Sequence, residues 1–264
     1  FLEHFLKMTT SPLPRIAEGV TIDPFDDDFT AFVFKIQANM NKAHRDRIAF
    51  MRICSGKFER GKDYYHVQGD KSFRLSQPQQ MMASDRAVID EAYAGDIIGV
   101  FDPGIFSIGD TVCEKGKKIK FEGIPTFAPE HFAMVEQVDS MKRKQFAKGM
   151  NQIAQEGAIR IFCEPGSGLE RVYVGVVGEL QLDVLESRMK NEYNVEYRKY
   201  PQPYQYIKKV PEGVNPADLK LYEVKWVQDF RDGNYLLFPT PWHINYTLEH
   251  NEGLTLEEYG SVEE

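Results

Sequence analysis

Between residues 29 and 121 the sequence consists of short apolar segments separated by turns, and this spacing restricts the fold more than any other feature. The segments are rich in β-branched and aromatic residues. Between them stand the turn pairs Gly69-Asp70, Gly95-Asp96, Pro103-Gly104 and Gly109-Asp110. Short strands at such close spacing predict an all-β domain that closes into a barrel. Positive φ angles are expected at Gly56, Gly61, Gly95 and Gly109.

A different pattern begins near Gly123 and predicts an α/β domain. Phe146, Met150 and Ile153 recur at helical spacing and mark the buried face of a helix over 140–156. The predicted order is a strand at 131–138, this helix, strands at 158–163 and 172–177, a helix at 179–193 and a strand at 195–200. This β-α-β-β-α-β order is the split arrangement of ferredoxin-like folds.

The two ends of the chain carry weaker patterns. Residues 1–8 place apolar side chains at helical spacing, and prolines at 12, 14 and 24 predict an extended linker up to residue 28. Beyond residue 203 we expect strands at 204–210, 221–227 and 235–238 and a helix at 242–250. Residues 251–264 contain five Glu and no basic residue, which predicts a disordered acidic tail. The predicted parts are therefore 1–28 (a helix end and linker), 29–122 (the barrel) and 123–264 (the α/β domain with its tail).

Composition excludes several classes of protein. The chain has 264 residues, 42% of them hydrophobic and 27% charged, which is typical of soluble globular domains. No run approaches the ~18 apolar residues of a membrane helix, so no membrane partner is expected. Cys54, Cys113 and Cys163 are odd in number and far apart, which favours a reducing, cytoplasmic location. The histidines lack zinc spacing, so no metal site is expected. No G-x-x-x-x-G-K-[ST] motif is present, and we expect neither a cofactor nor catalysis from this chain itself.

Charge is distributed unevenly along this acidic chain. The formal net charge is −8, yet residues 41–62 contain seven Lys or Arg against two Asp or Glu. Two further basic clusters are K-G-K-K-I-K at 115–120 and K-R-K-Q-F-A-K at 142–148. Such clusters are often only solvated loops. The alternative is a phosphate-facing edge held by rigid strands, because arginine presents a fork of donors that suits phosphate oxygens.

Three contiguous motifs resemble a known family: F-V-F-K-I-Q-A-N-M at 32–40, H-R-D-R-I-A-F at 44–50 and S-G-K-F-E-R-G at 55–61. Together with the run at 94–112, they resemble the β-barrel that follows the GTPase domain in translational GTPases, most closely in bacterial class II release factors. The resemblance continues to about residue 200. It implies a translation-factor barrel followed by a ferredoxin-like sandwich with a C-terminal extension.

The same resemblance implies partners and an activity for the whole protein. The ribosome would be bound through small-subunit ribosomal RNA, and class I release factors would be driven off after peptide release. GTP and Mg²⁺ would belong to the missing GTPase domain, which is itself a partner of this chain. His44, Arg45 and Arg47 fall in a loop where related factors carry a Gly-Arg motif, with Asp46 in place of that glycine. The predicted RNA contacts are Lys42, His44, Arg45, Arg47, Lys57, Arg60, Lys117, Lys118, Lys142 and Arg143.

Other interpretations remain open from sequence alone. Another translational GTPase, of the elongation factor G or ribosome-protection type, would carry two further domains after the ferredoxin-like unit. A stand-alone RNA-binding module would expose aromatic side chains on its barrel, whereas Phe32, Phe34 and Phe50 are expected in the core. An enzyme with an unrecognised site is a third alternative.

Overall fold

The computed structural model divides into two compact units, Phe1–Ile124 and Pro125–Glu264. It describes residues 1–38, 47–74, 79–82, 85–124, 126–230 and 232–260. The first unit is almost entirely β, and the second combines sheets with helices, so the predicted fold class is confirmed. In the described part of the chain, none of the helices has both the length and the apolarity needed to cross a bilayer.

The first unit begins with a short exposed helix and continues with twelve described strands. Its elements are α1 (Leu2–Met8), β1 (Arg15–Ala17), β2 (Val20–Ile22), β3 (Thr30–Ala38), β4 (Arg47–Ser55), β5 (Lys57–Glu59), β6 (Asp63–His66), β7 (Lys71–Arg74), β8 (Gln79–Met82), β9 (Asp85–Val88), β10 (Glu91–Tyr93), β11 (Ile97–Phe101) and β12 (Thr111–Glu114). All four glycines expected at positive φ adopt it, with φ between 67° and 95°.

Eight of these strands form one antiparallel sheet in the order β7-β6-β12-β3-β4-β11-β8-β9. Phe73 of β7 and Val100 of β11 pack against the same buried cluster although four strands separate them in the sheet. The sheet must therefore curl around its core, as barrel sheets do. Among the described residues no backbone pairing joins β7 to β9, so the sheet curls like a barrel but its ladder has two ends.

The predicted linker over residues 10–28 is wrong in part, because β1 and β2 pair there as a hairpin. Its turn, Glu18-Gly19, has φ angles of 48° and 76°, which suit a tight hairpin turn. Ala17 and Ile22 are buried together with Cys54 on the outer face of the curled sheet. The prolines lie outside the paired residues, so they shorten the hairpin without preventing it.

The second unit contains β13 (His131–Gln137), α2 (Arg143–Gln155), β14 (Arg160–Phe162), β15 (Arg171–Val176), α3 (Leu180–Tyr193), β16 (Tyr197–Gln202), β17 (Tyr206–Lys209), β18 (Lys225–Gln228), β19 (Asn234–Phe238), α4 (Pro241–His250) and β20 (Glu257–Glu258). The first four strands pair in the order β14-β15-β13-β16, which is the ferredoxin-like order. Helices α2 and α3 cover one face of this sheet through Phe146, Met150 and Leu185. Asn194 ends α3 in a left-handed conformation, with φ 55°.

A second sheet, β18-β19-β17-β20, covers the other face of the first. Phe132 and Phe162 of the first sheet meet Ile207 and Leu237 of the second, and α4 packs on the far side of the second sheet. The layers are therefore helix, sheet, sheet and helix. The predicted acidic tail is ordered in its described part, because Glu257 and Glu258 form β20 and Tyr259 packs in the core between the sheets.

Candidate nucleic-acid interface

Arg47, the first residue of β4, is largely buried and bound to groups of its own unit. Its Nε lies 2.8 Å from Oδ2 of Asp102, and its Nη2 donates to the carbonyl oxygen of Phe106 at 2.7 Å. The side chain of Arg47 is 11% exposed and that of Asp102 is fully buried. A buried pair of this kind is a structural element first, because an unpaired charge at this depth would be costly. The predicted contact between Arg47 and RNA stays a prediction, but the geometry gives this side chain an internal role.

That role is to hold the loop between β11 and β12. Asp102 Oδ1 accepts hydrogen bonds from the backbone N–H groups of Gly104 and Ile105, each at 2.8 Å. At the other end of the loop, Asp110 Oδ2 lies 2.7 Å from Nε2 of His66 and accepts from the N–H of Ser107 at 2.7 Å. Two buried carboxylates therefore fix both ends of the loop.

The predicted cations of the first unit that lie among the described residues do not all come to one place. Arg47 begins β4, whereas Lys57 follows the end of the same strand. Because β4 spans nine residues, its two ends are about 26 Å apart at ~3.3 Å per residue. Lys117 lies at the Lys57 end, since β12 ends beside the start of β6. Lys42, His44 and Arg45 precede β4 in the sequence and lie outside the described residues.

The end of the sheet that contains Lys57 is nearly neutral. Lys57 Nζ lies 2.7 Å from Glu91, and Arg60 Nη1 lies 3.3 Å from Asp90. The ion pairs around Lys57 join four cations and five carboxylates of the described residues: Lys57, Arg60, Lys62, Lys117, Asp28, Glu59, Asp90, Glu91 and Glu114. The hydrogen bond that Lys57 donates to Glu91 raises the pKa of Lys57, so this ammonium is firmly charged but paired. Such a surface attracts phosphate less strongly than the same number of unpaired lysines would.

Lys118 lies beside Tyr65 and Asp70, apart from the ion pairs around Lys57. Its Nζ lies over the ring of Tyr65, 5.7 Å from the centroid, and 3.5 Å from Asp70. The hydrogen bond with Tyr65 is the largest cause of its raised pKa. The side chain is three-quarters exposed, so phosphate could compete for it.

In the second unit, the predicted contacts lie where α2 begins. Lys142 Nζ donates to the backbone carbonyl of Asn194 at 2.7 Å, and Arg143 Nη2 lies 2.8 Å from Glu170. Lys144 and Lys148 are exposed one helical turn apart, and neither makes an ion pair with a described residue. Sequence reasoning placed both in a basic cluster but omitted them from the predicted contacts. The helical spacing that buries Phe146 could have shown that they share an exposed face.

Metal-binding groups do not assemble in the described residues. No set of three His, Cys, Asp or Glu side chains there could hold a metal ion. Burial raises the pKa of Cys54 to about 11 and raises that of Cys113 and Cys163, so these thiols stay protonated at neutral pH. The charged side chains described above can bind a partner through charge and shape.

Comparison with known proteins gives matches along nearly the whole chain. A family model described as class II release factor RF3, C-terminal domain, matches residues 121–248, and one described as elongation factor G domain 2 matches residues 28–115. Peptide chain release factor 3 of Symbiobacterium thermophilum is 54% identical over 96% of this chain and 48% of its own length. The proteins of that name from Gloeobacter violaceus and Microcystis aeruginosa are each 40% identical, over 98% and 99% of this chain and 49% and 48% of their own.

The chain belongs to the peptide chain release factor 3 family. It spans about half the length of the curated relatives it matches. A crystal structure of a protein from Thermus thermophilus shares the fold, with a TM-score of 0.59 and 19% identity over 89% of this chain and 33% of that one.

The family matches divide the predicted contacts. Arg47, Lys57 and Arg60 lie in the segment that resembles elongation factor G domain 2, and Lys142 and Arg143 lie in the release factor segment. The segment 116–120, which contains Lys117 and Lys118, lies between the two matched regions.

Proposed function

We propose that this chain forms the ribosome-binding C-terminal part of a class II release factor in translation termination. The observation that carries the proposal is the 54% identity to a peptide chain release factor 3 along 96% of the chain. The release factor model that matches residues 121–248 favours this family over elongation factor G and ribosome-protection factors. The whole protein would promote dissociation of class I release factors from the ribosome.

GTP hydrolysis belongs, in this proposal, to the half of the relatives that this chain does not match. A GTPase domain there would bind GTP and Mg²⁺ and would precede residues 1–28, which would connect it to the barrel. The site of action is the ribosome, and the location is therefore cytoplasmic. The chain itself has no P-loop motif and contributes binding rather than chemistry.

The proposed RNA contacts form two sets. Lys42, His44 and Arg45 are included because of their match to the family loop, and Arg47 is included as the residue that begins β4 and holds the loop between β11 and β12. The second set is the start of α2, where Lys144 and Lys148 make no ion pair with a described residue and add exposed charge to Lys142 and Arg143. Lys57, Arg60, Lys117 and Lys118 are secondary contacts, because each must leave a carboxylate to bind phosphate.

Binding would act on the GTPase through a difference in affinity. Ribosome contacts made by these two units can change the nucleotide cycle only if they are stronger in one nucleotide state than in the other. Rigid, well-packed units suit this role, because contacts on them shift a whole domain instead of a single loop.

A chimera tests the proposal. The chain would replace the matching half of the Symbiobacterium thermophilum relative, and we would measure ribosome-stimulated GTP turnover and the dissociation rate of a labelled class I factor. We expect both activities to be retained. A folded chimera that hydrolyses GTP but fails to respond to ribosomes would refute the proposal.

A second measurement addresses the contacts on α2. The double variant Lys144→Ala with Lys148→Ala should weaken ribosome binding and reduce the slope of log K against log salt by about 1.5, because each lost phosphate contact removes ~0.7–0.9. The matched control is Lys7→Ala with Lys220→Ala, which removes the same charge from exposed positions outside the clusters. Equal slopes for the two double variants would contradict the role of α2.

A further inference from the structure

Helix α4 and the segment before β18 present a group of contacting aromatic rings at the surface. Trp242 and Tyr246 lie with ring centroids 5.3 Å apart, and Tyr246 stacks on His250 at 3.9 Å. Tyr222 reaches the same rings, 6.1 Å from Trp242 and 5.8 Å from Tyr246. We call Tyr222, Trp242, Tyr246 and His250 the aromatic face. Trp242 is 56% exposed and Tyr222 is 48% exposed.

The helix geometry places this face opposite the core. Trp242, Tyr246 and His250 follow one another at steps of four residues and therefore share one side of α4. Ile244 and Thr247 lie on the other side of the helix. Ile244 packs against the second sheet, and Thr247 is fully buried. The packing of α4 on the second sheet thus does not require the exposed indole of Trp242. The surface of this indole is therefore available to a partner.

The surroundings of the aromatic face are acidic. Glu249 is exposed on the same side of α4 as Trp242, seven residues along the helix, and Glu252 is exposed just beyond the helix. Glu223 is next to Tyr222 and lies 3.5 Å from Nε2 of His243. A cation among the described residues there is Lys220, whose backbone bonds to the side chain of Asn251 at the end of α4. From residue 232 to residue 264 the sequence contains no Lys or Arg.

We propose that the aromatic face binds an arginine-bearing segment of another protein. A guanidinium group can stack on the indole and phenol rings while its N–H groups donate to the surrounding carboxylates, a combination that lysine matches less well. Trp and Tyr are also the residues that most often dominate binding energy at protein interfaces. The carboxylates oppose the phosphates of RNA, so an RNA strand is the less favoured occupant. This surface is separate from the basic contacts of α2, and the inference does not depend on the proposed function.

The experiment uses the two tryptophans as reporters in the ¹⁵N-labelled full chain. Hexa-arginine, hexa-lysine and a hexauridylate RNA would be titrated while the two indole N–H signals are followed. The indole of Trp226 donates to Oδ1 of Asn234 at 2.9 Å inside the unit and serves as the internal reference. We expect hexa-arginine to shift the Trp242 signal saturably, hexa-lysine to bind at least about threefold more weakly, and hexauridylate to cause no shift. The lysine peptide controls for simple attraction to an acidic chain.

Variants locate the binding site. Trp242→Ala should weaken binding of a fluorescent hexa-arginine by about fivefold or more, and Glu223→Gln with Glu249→Gln should weaken it as well. The matched control is Glu196→Gln, since Glu196 pairs with Lys190 on α3, on the other side of both sheets. Equal binding of the two peptides, tighter binding of hexauridylate, or no movement of the Trp242 signal would overturn the proposal. A Trp242 shift that depends on chain concentration alone would overturn it in favour of a second copy.

Discussion

The ion pair between Arg47 and Asp102 yields the sharpest prediction about the first unit. In Arg47→Ala the carboxylate of Asp102 keeps its backbone donors but loses its charged partner while fully buried. Removing one member of such a pair typically costs about 3–5 kcal/mol, because the remaining charge is left uncompensated. The carbonyl of Phe106 also loses its donor. We therefore expect the free energy needed to open the loop from 102 to 110 to fall by at least about 3 kcal/mol. Its opening equilibrium constant should rise roughly a hundredfold.

Hydrogen exchange followed by mass spectrometry would measure this effect. The peptide covering 102–110 should exchange roughly a hundredfold faster in Arg47→Ala, whereas a peptide covering β16 in the second unit should be unchanged. The control is Arg60→Ala, because Arg60 and Asp90 form an exposed pair worth at most about 1 kcal/mol. Adding Asp102→Asn to Arg47→Met removes the buried charge, and this double variant should exchange more slowly than Arg47→Ala.

The alternative is that Arg47 faces outward in solution and serves RNA alone. In that case, Arg47→Ala would change loop exchange by less than about fivefold, no more than Arg60→Ala does. That result would refute the assignment of Arg47 as a positioning residue.

Three further predictions concern stability and reactivity. Gly56→Ala should destabilise the chain by about 2 kcal/mol or more in urea unfolding, because φ is +67° and a Cβ would lie 2.6 Å from the backbone of residues 28 and 29. Gly19→Ala, with open space around it, should cost only about 1 kcal/mol. The thiol of Cys54, with its pKa raised to about 11, should react slowly with a disulfide reagent at pH 8 until urea exposes it; rapid native labelling would contradict its burial. The hydrogen bond from Lys225 holds the pKa of Glu164 below its ordinary value, so the stability it contributes is present above that ordinary value and is lost as pH falls through the folded pKa. In Lys225→Met, carboxyl NMR should show the Glu164 pKa returning toward its ordinary value; no upward movement would contradict the pairing.

The regular elements were predictable because their signals are local. Alternating apolar residues and Gly-Asp turns specify the strands of the first unit, and Phe146, Met150 and Ile153 specify the buried face of α2. The hairpin β1–β2 was missed because prolines dominate its surroundings. The order of residues 257–259 was missed because it depends on pairing with Lys208 and Lys209, about 50 residues earlier in the chain. Composition alone cannot show such a partner.

The candidate site was less predictable, because pairing between distant residues decides which charges remain available. Arg47 forms an ion pair with Asp102, 55 positions away in the sequence, and Lys62 forms one with Glu114, 52 positions away. A count of basic residues over 41–62 includes these paired groups and therefore overstates the attraction of that segment for phosphate. The spacing of Lys144 and Lys148 is local information, and it could have identified the exposed face that the predicted contacts omitted.

Under the proposed function, the distribution of charge in the described residues also predicts how a chain with a net charge of −8 would bind RNA. A broad basic surface would give steep salt dependence and indiscriminate binding to nucleic acids. Here the cations near Lys57 are balanced by their own carboxylates, so the start of α2 would contribute more to the attraction of phosphate than that end of the sheet. Few phosphate contacts would give a shallow slope of log K against log salt concentration. They would also give little affinity for RNA whose shape does not match these sites. In that proposal, specificity for one structured RNA surface would follow from the acidity of the remaining chain, because a net negative charge repels phosphates outside these sites.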